Sequence, residues 1–234
     1  MSSHARRQYL IEFGKTVLGK FVTKETVDGV SDWFEPLYAE ADGDTARVPW
    51  ALPGAVPYLT DWLKKNEIDG SGRAAVVVGC GLGDDAEALA ASGFDVTAFD
   101  VSQSAIAWAQ KRFPDSAVNY VVADLFQLPE SWLGSFDLVF DFRTIQALPI
   151  DVRQQVIEDI ASLVKPGGMA LIMTYIRPDN QPCDGPPWPL SLSELSHFET
   201  VGLQTEHKET FRNKDSRFPG RIQVQYRAPE LRIK

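Results

Sequence analysis

Three glycines and one aspartate are the residues of this sequence whose types and spacing point most clearly to binding chemistry. The glycines lie in the segment Gly79-Cys80-Gly81-Leu82-Gly83, directly after an apolar run. Glycine at the carboxyl end of a strand lets the backbone turn tightly and approach a ligand, and the following helix offers free N–H groups. Asp100 lies about 20 residues beyond Gly81, the distance at which a carboxylate reaches a ribose hydroxyl. The pattern therefore predicts a site for a ribose-containing ligand.

Dinucleotide-binding proteins share both features, so the position of the third glycine is needed to separate the classes. Their fingerprint, G-x-G-x-x-G, requires glycine at position 84, whereas this chain has Gly83 followed by Asp84 and Asp85. Two carboxylates at the start of a helix repel a pyrophosphate and are compatible with a ligand that carries positive charge. The sequence thus disfavours NAD and is compatible with a cationic ligand.

The elements that must position these residues alternate between strand and helix. Short apolar runs predict strands at residues 74–78, 96–99, 118–123, 136–140, 169–175, 203–209 and 222–227. Helices are predicted at residues 17–27, 31–39, 57–65, 84–91, 102–112, 151–164 and 192–200, with Ser102 as an N-cap and a break at Lys165-Pro166-Gly167-Gly168. This alternation predicts an α/β fold with a doubly wound, mostly parallel sheet of seven strands. The last two strands have no helix between them, so we expect an antiparallel hairpin at one edge.

Composition restricts the class of protein further. The chain has 234 residues, of which 44% are hydrophobic and 24% charged, an ordinary globular balance that fits one domain. The formal net charge of −9 argues against nucleic acid as the main partner, because phosphate binding needs a basic surface. Two distant cysteines favour a reducing compartment over a disulfide framework, and no apolar run is long enough to span a membrane. We therefore expect a cytoplasmic protein without membrane contact.

The glycine segment, with Asp84 behind it and the acidic strand end at Asp100, resembles the class I S-adenosylmethionine (SAM)-dependent methyltransferases. The resemblance covers residues 73–175 and includes Ala123-Asp124-Leu125, Phe136-Asp137-Leu138-Val139-Phe140-Asp141 and Leu163-Val164-Lys165-Pro166-Gly167-Gly168. It implies that SAM is held by residues at the strand ends, namely Gly79, Gly81, Gly83, Asp100, Val101, Asp124, Leu125 and Asp141. Asp124 and Leu125 are implied to lie at the adenine ring, and Asp141 beside the methyl group. Asp137, at the start of its strand, is expected to be structural.

A narrower resemblance, to the thiopurine, thiol and halide methyltransferases, comes from the flanking segments. That group has a tryptophan-rich N-terminal segment that closes over the cofactor, and this chain has Asp32-Trp33-Phe34-Glu35-Pro36-Leu37-Tyr38 and Val48-Pro49-Trp50. The segment Gly185-Pro186-Pro187-Trp188 is similar to the group's G-P-P-aromatic loop. The resemblance implies a helical lid of residues 1–70 on a SAM-binding core of residues 71–234, within one domain. It also implies that Trp33 and Trp50 contact the cofactor, and that Tyr38, Tyr175 and Trp188 contact the acceptor.

The segment after the fourth predicted strand departs from that group. The group often has Asp-Arg-Gly-Ala-Leu, whereas this chain has Asp141-Phe142-Arg143-Thr144-Ile145, with the arginine one residue later. Asp141 and Arg143 are our candidates for positioning the reacting groups, and Arg143 is also a candidate acceptor contact.

These observations predict an enzyme that transfers a methyl group from SAM to a small molecule by in-line displacement, leaving S-adenosylhomocysteine (SAH). A thiol or another soft nucleophile is the favoured acceptor, because a nearby cation activates a thiol without a dedicated base. The alternatives are an O-methyltransferase of a phenol or carboxylate, and a SAM-binding module without catalysis. Asp141 with Asp179 and Asn180 suggests a Mg²⁺ site, but Asp179 lies beyond a proline and no Cys/His zinc spacing exists, so no metal is expected.

Overall fold

The structure is a computed structural model, and it describes residues 29–212 and 220–230 of the chain. Its strands are β1 (Ala74–Val78), β2 (Asp95–Asp100), β3 (Asn119–Val122), β4 (Phe136–Phe142), β5 (Val164–Ile176), β6 (Gln204–Arg212) and β7 (Gly220–Arg227). Within the described ranges these seven strands form one sheet in the order β3-β2-β1-β4-β5-β7-β6. The β7 strand runs antiparallel to both β5 and β6. The predicted fold class and the antiparallel hairpin at one edge are confirmed.

The helices of the same residues follow the predicted order along the chain, with one additional short helix after β4 that was not predicted. They are α1 (Phe34–Ala41), α2 (Pro57–Lys65), α3 (Asp84–Ala91), α4 (Gln103–Arg112), α5 (Thr144–Ala147), α6 (Arg153–Ser162), α7 (Leu192–Leu195) and α8 (His197–Thr200). The hydroxyl oxygen of Ser102 accepts the Ala105 N–H at 3.0 Å, so the predicted N-cap of α4 is present. None of these helices is long and apolar enough to cross a membrane. The predicted helix at residues 17–27 lies outside the described residues.

Residue contacts divide the chain into two compact units, which are described separately. The first unit comprises Met1–Gly72 and Gly79–Asp124 and contains α1 to α4 with the parallel pair of β2 and β3. In this unit α4 packs against α1 and both strands. Its buried face consists of Ala105, Ile106 and Ala109, which lie on one side of a helix because of their spacing.

The second unit comprises Arg73–Val78 and Leu125–Lys234 and contains the other five strands with α5 to α8. Here β1 pairs in parallel with β4, and β4 with β5. The apolar β1 and β4 are almost completely buried, as expected of parallel strands that are covered on both faces. The register pairs Val78 with Asp141, so the carboxyl ends of β1 and β4 lie at the same level.

The prediction of a helix over residues 151–164 followed by a break was wrong at its end. Helix α6 ends at Ser162 and β5 begins at Val164, so the turn-like residues 165–168 lie inside the strand. The pairing changes register there, with Phe136 opposite Val164 and Leu138 opposite Met169. The glycines and proline therefore form a bulge opposite Asp137 and do not terminate the element.

Asp137 has the structural role expected of it. Its carboxylate accepts the Ala74 N–H at 2.9 Å and forms an ion pair with Lys165 from the bulge. Burial disfavours the charged form, but the bonds from Lys165 and Ala74 outweigh this effect and lower the pKa of Asp137.

The single helix predicted over residues 192–200 was also wrong, because the structure has two short helices, α7 and α8, that meet at Ser196. The Ser196 hydroxyl donates to the Ser193 carbonyl at 2.7 Å. A serine that bonds to the preceding turn competes with the backbone ladder, which accounts for the break.

Candidate functional site

The glycine segment forms a tight turn at the start of α3 in the first unit. Gly79, Gly81 and Gly83 have φ values of 59°, 52° and 89°. A Cβ atom at Gly81 would lie 2.9 Å from the Tyr38 hydroxyl, and one at Gly83 would lie 2.5 Å from the Tyr120 hydroxyl. Both the left-handed backbone and the lack of space therefore require glycine at positions 81 and 83.

Asp100 joins this turn to the end of β2. Its buried carboxylate accepts the Gly81 N–H at 2.9 Å and the Ser102 N–H at 3.0 Å. Burial raises the pKa of Asp100, and the backbone hydrogen bonds act in the opposite direction. A carboxylate has about four acceptor positions, so acceptor capacity remains for a ligand hydroxyl beside these bonds. The contact between turn and strand end is present, whereas ligand binding by Asp100 and the partly buried Val101 stays a prediction.

Asp84 and Asp85, the acidic pair that follows the glycine turn in the sequence, have partners inside the first unit. The Nη1 and Nη2 atoms of Arg112 lie 2.5 Å and 2.8 Å from the two Asp84 carboxylate oxygens, and Nη1 also donates to the Leu82 carbonyl at 2.6 Å. The Asp85 carboxylate accepts the Val56 N–H at 2.7 Å. The structure thus gives both carboxylates partners within the first unit. The argument against a dinucleotide then rests on the spacing of the glycines.

Aromatic residues of the N-terminal segment gather near the glycine turn. Trp33 and Tyr38 are buried in one apolar cluster with Leu82, and Trp50 packs against that cluster. The Trp50 indole N–H donates to the Tyr38 hydroxyl at 2.8 Å. The Trp33 Nε1 atom is buried and has no hydrogen-bond partner among the described residues. Closure of this segment over a ligand, and the ligand contacts of these three residues, stay predictions.

Asp124 and Leu125, the two candidates for contact with adenine, are adjacent in the chain. Asp124 is partly buried and ends the first unit, and Leu125 is buried and begins the 3₁₀ turn Leu125–Gln127 of the second unit. The Ala123 N–H donates to the Asp100 carbonyl at 3.1 Å, which fixes the segment before Asp124. Their contact with adenine is likewise a prediction.

Asp141 lies in β4 of the second unit and is completely buried. Its Oδ1 atom accepts the Thr144 N–H at 3.2 Å, whereas Oδ2 is buried without a hydrogen-bond partner in the described part of the chain. The Thr144 hydroxyl donates to the Val78 carbonyl at 2.9 Å and ties α5 to β1. Burial raises the pKa of Asp141 to about 7, so this carboxyl group is partly protonated near neutral pH.

Arg143 and Tyr175 lie together in the second unit. The Arg143 guanidinium is 4.3 Å from the Phe142 ring centroid and 5.4 Å from that of Tyr175. Arg221 from β7 lies 5.1 Å from the Tyr175 ring centroid and donates to the Tyr175 hydroxyl at 3.2 Å. We call these three residues, Arg143, Tyr175 and Arg221, the arginine–tyrosine cluster. Arg221 was missed by sequence reasoning because its position opposite Tyr175 depends on the register of β5 and β7.

Arg143 has a backbone φ of 74°, which is uncommon for a residue with a side chain. A left-handed conformation suits glycine, which has no Cβ atom. In this chain the arginine bears a backbone strain that glycine avoids.

Trp188 is held by two backbone contacts in the second unit. Its N–H donates to the Gln146 carbonyl at 2.7 Å, and its carbonyl accepts from Arg153 Nη2 at 2.9 Å. A Cβ atom at Gly185 would lie 2.1 Å from the Trp188 ring, so the ring packs directly on the loop backbone. Gln146 was not predicted from the sequence, because its role arises from contacts with residues far along the chain.

One of the residues considered for a metal, Asp179, has other partners. Asp179 accepts the Ser193 N–H and hydroxyl, both at 3.1 Å. Among the described residues, no group of three or more His, Cys, Asp and Glu side chains is arranged to hold a metal ion. His197 lies 2.9 Å from a Glu158 carboxylate oxygen, which gives it a surface partner.

The sheet order and the glycine turn with its strand-end carboxylate define a class I SAM-dependent methyltransferase. The model of one family in this class, described as thiopurine S-methyltransferase, matches residues 43–220 of the chain. The chain belongs to the thiopurine S-methyltransferase family.

The names of individual relatives specify different methyl acceptors. A probable thiol methyltransferase 2 from Arabidopsis thaliana is 29% identical over 70% of this chain and 74% of that protein. Thiocyanate methyltransferase 1 from the same plant is 30% identical over 65% of each chain. A ubiquinone biosynthesis O-methyltransferase from Bordetella avium is 31% identical over 52% of this chain and 50% of that protein.

Solved structures show the same fold at lower sequence identity. One, from a study of the conversion of a disulfide bond into a thioacetal group during echinomycin biosynthesis, has a TM-score of 0.69 at 21% identity, over 87% of this chain and 93% of that one. The N-methyltransferase NodS from Bradyrhizobium japonicum, in complex with SAH, has a TM-score of 0.65 at 19% identity, over 87% of this chain and 100% of that one. The predicted methyltransferase fold is confirmed.

Proposed function

We propose that this enzyme methylates the sulfur of a small thiol, or a similarly soft anion, with SAM as the methyl donor. The observation that carries the proposal is the arginine–tyrosine cluster, in which two guanidinium groups lie on one tyrosine ring. A thiol has a pKa of about 8.5, and neighbouring cations lower it and favour the thiolate, which is the nucleophile. The similarity to thiol and thiocyanate methyltransferases also supports an acceptor of this kind.

The first unit has features that fit SAM. The start of α3, directly after the glycine turn, offers backbone N–H groups to a ligand, and the Asp100 carboxylate keeps acceptor capacity for a ribose hydroxyl. The buried Trp33 and the neighbouring Trp50 offer aromatic faces, which attract a sulfonium cation by about 0.5–2 kcal/mol. We propose that Asp124 and Leu125 contact the adenine ring. When bound, SAM supplies a methyl group on a positively charged sulfur.

The second unit provides charge and orientation for the acceptor. Arg143 and Arg221 favour its anionic form, and a thiolate acceptor needs no general base. Asp141 acts through the backbone, because its hydrogen bond from the Thr144 N–H fixes the turn that carries Arg143. Tyr175 and Trp188 are proposed to contact the acceptor by packing.

An O-methyltransferase of a small phenol is the second candidate. The Asp141 carboxyl group, whose Oδ2 atom has no hydrogen-bond partner in the described ranges and whose pKa is about 7, suits a general base that takes a phenol proton. The similarity to ubiquinone biosynthesis O-methyltransferases supports the same class.

A product screen tests the proposal. The purified full chain is incubated with SAM and thiols, thiocyanate, halides, phenols or carboxylic acids, and SAH and the methylated product are measured by mass spectrometry. We expect turnover of thiols, with a rate that rises with pH as the acceptor ionises. Arg143→Met should lower that rate most at pH values below the thiol pKa, where the cation contributes most. Faster methylation of phenols than of thiols would overturn the proposal in favour of the second candidate.

A further inference from the structure

Gln146 is a buried amide that bonds to two different segments of the second unit. Its side-chain oxygen accepts the Tyr175 N–H at 2.7 Å and the Thr174 hydroxyl at 2.9 Å. Its backbone carbonyl accepts the Trp188 N–H at 2.7 Å. The side chain is only 2% exposed, so these bonds form away from bulk water.

The orientation of the Gln146 amide follows from its partners. The Tyr175 N–H can only donate, so the amide atom that faces it must be the oxygen. That oxygen therefore has both of its acceptor positions occupied by the end of β5. A buried amide with this arrangement has one favoured rotamer, because any other leaves a buried donor without a partner.

The residues connected by Gln146 are those proposed to contact the acceptor. Tyr175 is bonded through the side chain, and Trp188 is bonded through the backbone. Arg143 lies three residues before Gln146 and immediately precedes α5, and its guanidinium faces the Tyr175 ring. A shift of Gln146 would therefore move all three relative to one another.

We propose that Gln146 is a positioning residue that sets the acceptor contacts of Arg143, Tyr175 and Trp188 and thereby determines acceptor affinity. The inference rests on the proposed function for the roles of those three residues. Gln146 acts through them and does not touch the reacting atoms. Because the hydrogen-bond partners of Gln146, namely Thr174, Tyr175 and Trp188, are not among the residues proposed to hold SAM, its loss should leave the binding of SAH unchanged.

The test compares Gln146→Met with Gln146→Glu in the full chain. Methionine has a similar length and accepts neither hydrogen bond, whereas a glutamate oxygen can accept both. We expect Gln146→Met to lower kcat/KM for the acceptor about 10- to 100-fold. The change should come mainly through KM, because weakening contacts that hold the acceptor equally in the ground state and the transition state raises KM and leaves kcat unchanged. The Kd for SAH, measured by calorimetry, should stay within about twofold of the wild-type value, and Gln146→Glu should recover part of the loss.

Gln154→Met is the matched control, because Gln154 is an exposed residue of α6 in the same unit. It should change neither acceptor KM nor SAH affinity. If Gln146→Met lowers SAH affinity in step with acceptor affinity, or leaves acceptor KM unchanged, the positioning role is wrong. If Gln146→Met does not fold, Thr174→Val removes one of the two donors and should give a smaller rise in acceptor KM, and no rise would overturn the proposal.

A readout without turnover separates this inference from the proposed function. Hydrogen exchange of the peptide spanning residues 173–190 should become faster in Gln146→Met than in Gln154→Met, without SAM or acceptor present. If the wild-type enzyme methylates only phenols, the proposed acceptor class fails, and the kinetic comparison is made with that phenol. Unchanged exchange in Gln146→Met would overturn the role of Gln146 whatever the acceptor.

Discussion

Burial acts on two aspartates of β4 with opposite results. Asp141 is buried and has no charged partner among the described residues, and its pKa rises from 3.8 to about 7. Asp137 has Lys165 and the Ala74 N–H as partners, and its pKa is lowered although burial opposes this. Asp137 and Asp141 therefore form a matched pair within one strand, and we expect pH to change their contributions to stability in opposite directions.

The first prediction concerns Asp141→Asn. A carboxyl group whose pKa is higher in the folded state stabilises the fold below its unfolded pKa and loses this contribution as pH rises through the folded value. For Asp141 this stabilising contribution should be lost as pH rises from about 4 to about 7. The free energy of unfolding should fall by about 1.4 kcal/mol for each pH unit in that range. Urea unfolding should show a smaller fall in the free energy of unfolding from pH 5 to pH 8 in Asp141→Asn than in the wild type.

Asp137→Asn serves as the control for that measurement. The lowered pKa of Asp137 means that its contribution is present above the unfolded pKa and is lost as pH falls. Asp137→Asn should therefore reduce stability at pH 8, where Asp141→Asn raises it. If the free energy of unfolding at pH 8 changed in the same direction in both variants, burial would not be what raises the pKa of Asp141.

The second prediction concerns the backbone at Arg143. A residue with a Cβ atom in the left-handed region costs about 1–2 kcal/mol, which glycine does not incur. With φ at 74°, Arg143→Gly should be more stable than Arg143→Ala by about 1 kcal/mol, the reverse of the usual order. Both variants remove the guanidinium and should lose thiol turnover equally. Unfolding in urea checks the order, and a more stable alanine variant would contradict the strain argument.

Sequence reasoning at the residue scale found the positions that depend on local chain geometry. Gly81 and Asp100 could be predicted because the strand–turn–helix unit fixes both glycine conformation and carboxylate spacing. Arg221 and Gln146 could not, since their contacts with Tyr175 require the register between segments far apart in the chain. The charges of Asp84 and Asp85 were visible, but their internal partners Arg112 and Val56 were not.

At the scale of elements, Glu35 connects α1 to the first turn of α4. Its carboxylate accepts the Ser102 hydroxyl at 2.7 Å, and the Ser104 N–H and hydroxyl at 3.0 Å and 2.6 Å. Burial disfavours the charge on Glu35, but the bonds from both serines outweigh it and lower its pKa. Since the Ser102 N–H also binds Asp100, the position of α1 is connected to the proposed ribose contact.

The third prediction is that Glu35→Gln weakens this connection. The variant keeps the size of the side chain and loses the charge that favours bonds at a helix N-terminus. We expect the free energy of unfolding to fall by about 1 kcal/mol and the Kd for SAH to rise about fivefold. Glu40→Gln, on the exposed side of the same helix, is the control and should change neither quantity. Equal SAH affinities of Glu35→Gln and Glu40→Gln would show that the bonds of Glu35 do not affect cofactor binding.

Element boundaries were predictable where a local signal acts alone. Pro57 at the start of α2 and the apolar run of β1 gave the observed bounds. The start of β5 was not predictable, because Gly167 and Gly168 form a bulge whose pairing depends on β4 and β7. The break at Ser196 also escaped prediction, since a serine hydroxyl can bond either to solvent or to the preceding turn.

At the scale of the whole molecule, the alternation of strands and helices carried most of the information about the fold. The sheet order follows from right-handed crossovers between parallel strands, with the antiparallel β7 added beside β5. The same alternation cannot select a methyl acceptor, because acceptor contacts come from loops and from strand ends that vary independently of the sheet. The family places the chain among methyltransferases, and the acceptor must be measured.

The fourth prediction uses the stability of the whole chain to test its ligand. A ligand at 100 times its Kd stabilises the folded state by about 2.7 kcal/mol, which corresponds to a rise of about 5–10 °C in Tm for a chain of this size. SAH should produce such a rise and NAD should not, because the glycine spacing does not match a pyrophosphate turn. Asp100→Asn should reduce the rise with SAH, while Asp95→Asn, exposed at the other end of β2, should preserve it. A rise with NAD alone would contradict the interpretation of the glycine turn, and an unchanged rise in Asp100→Asn would remove the proposed ribose contact while leaving the ligand class intact.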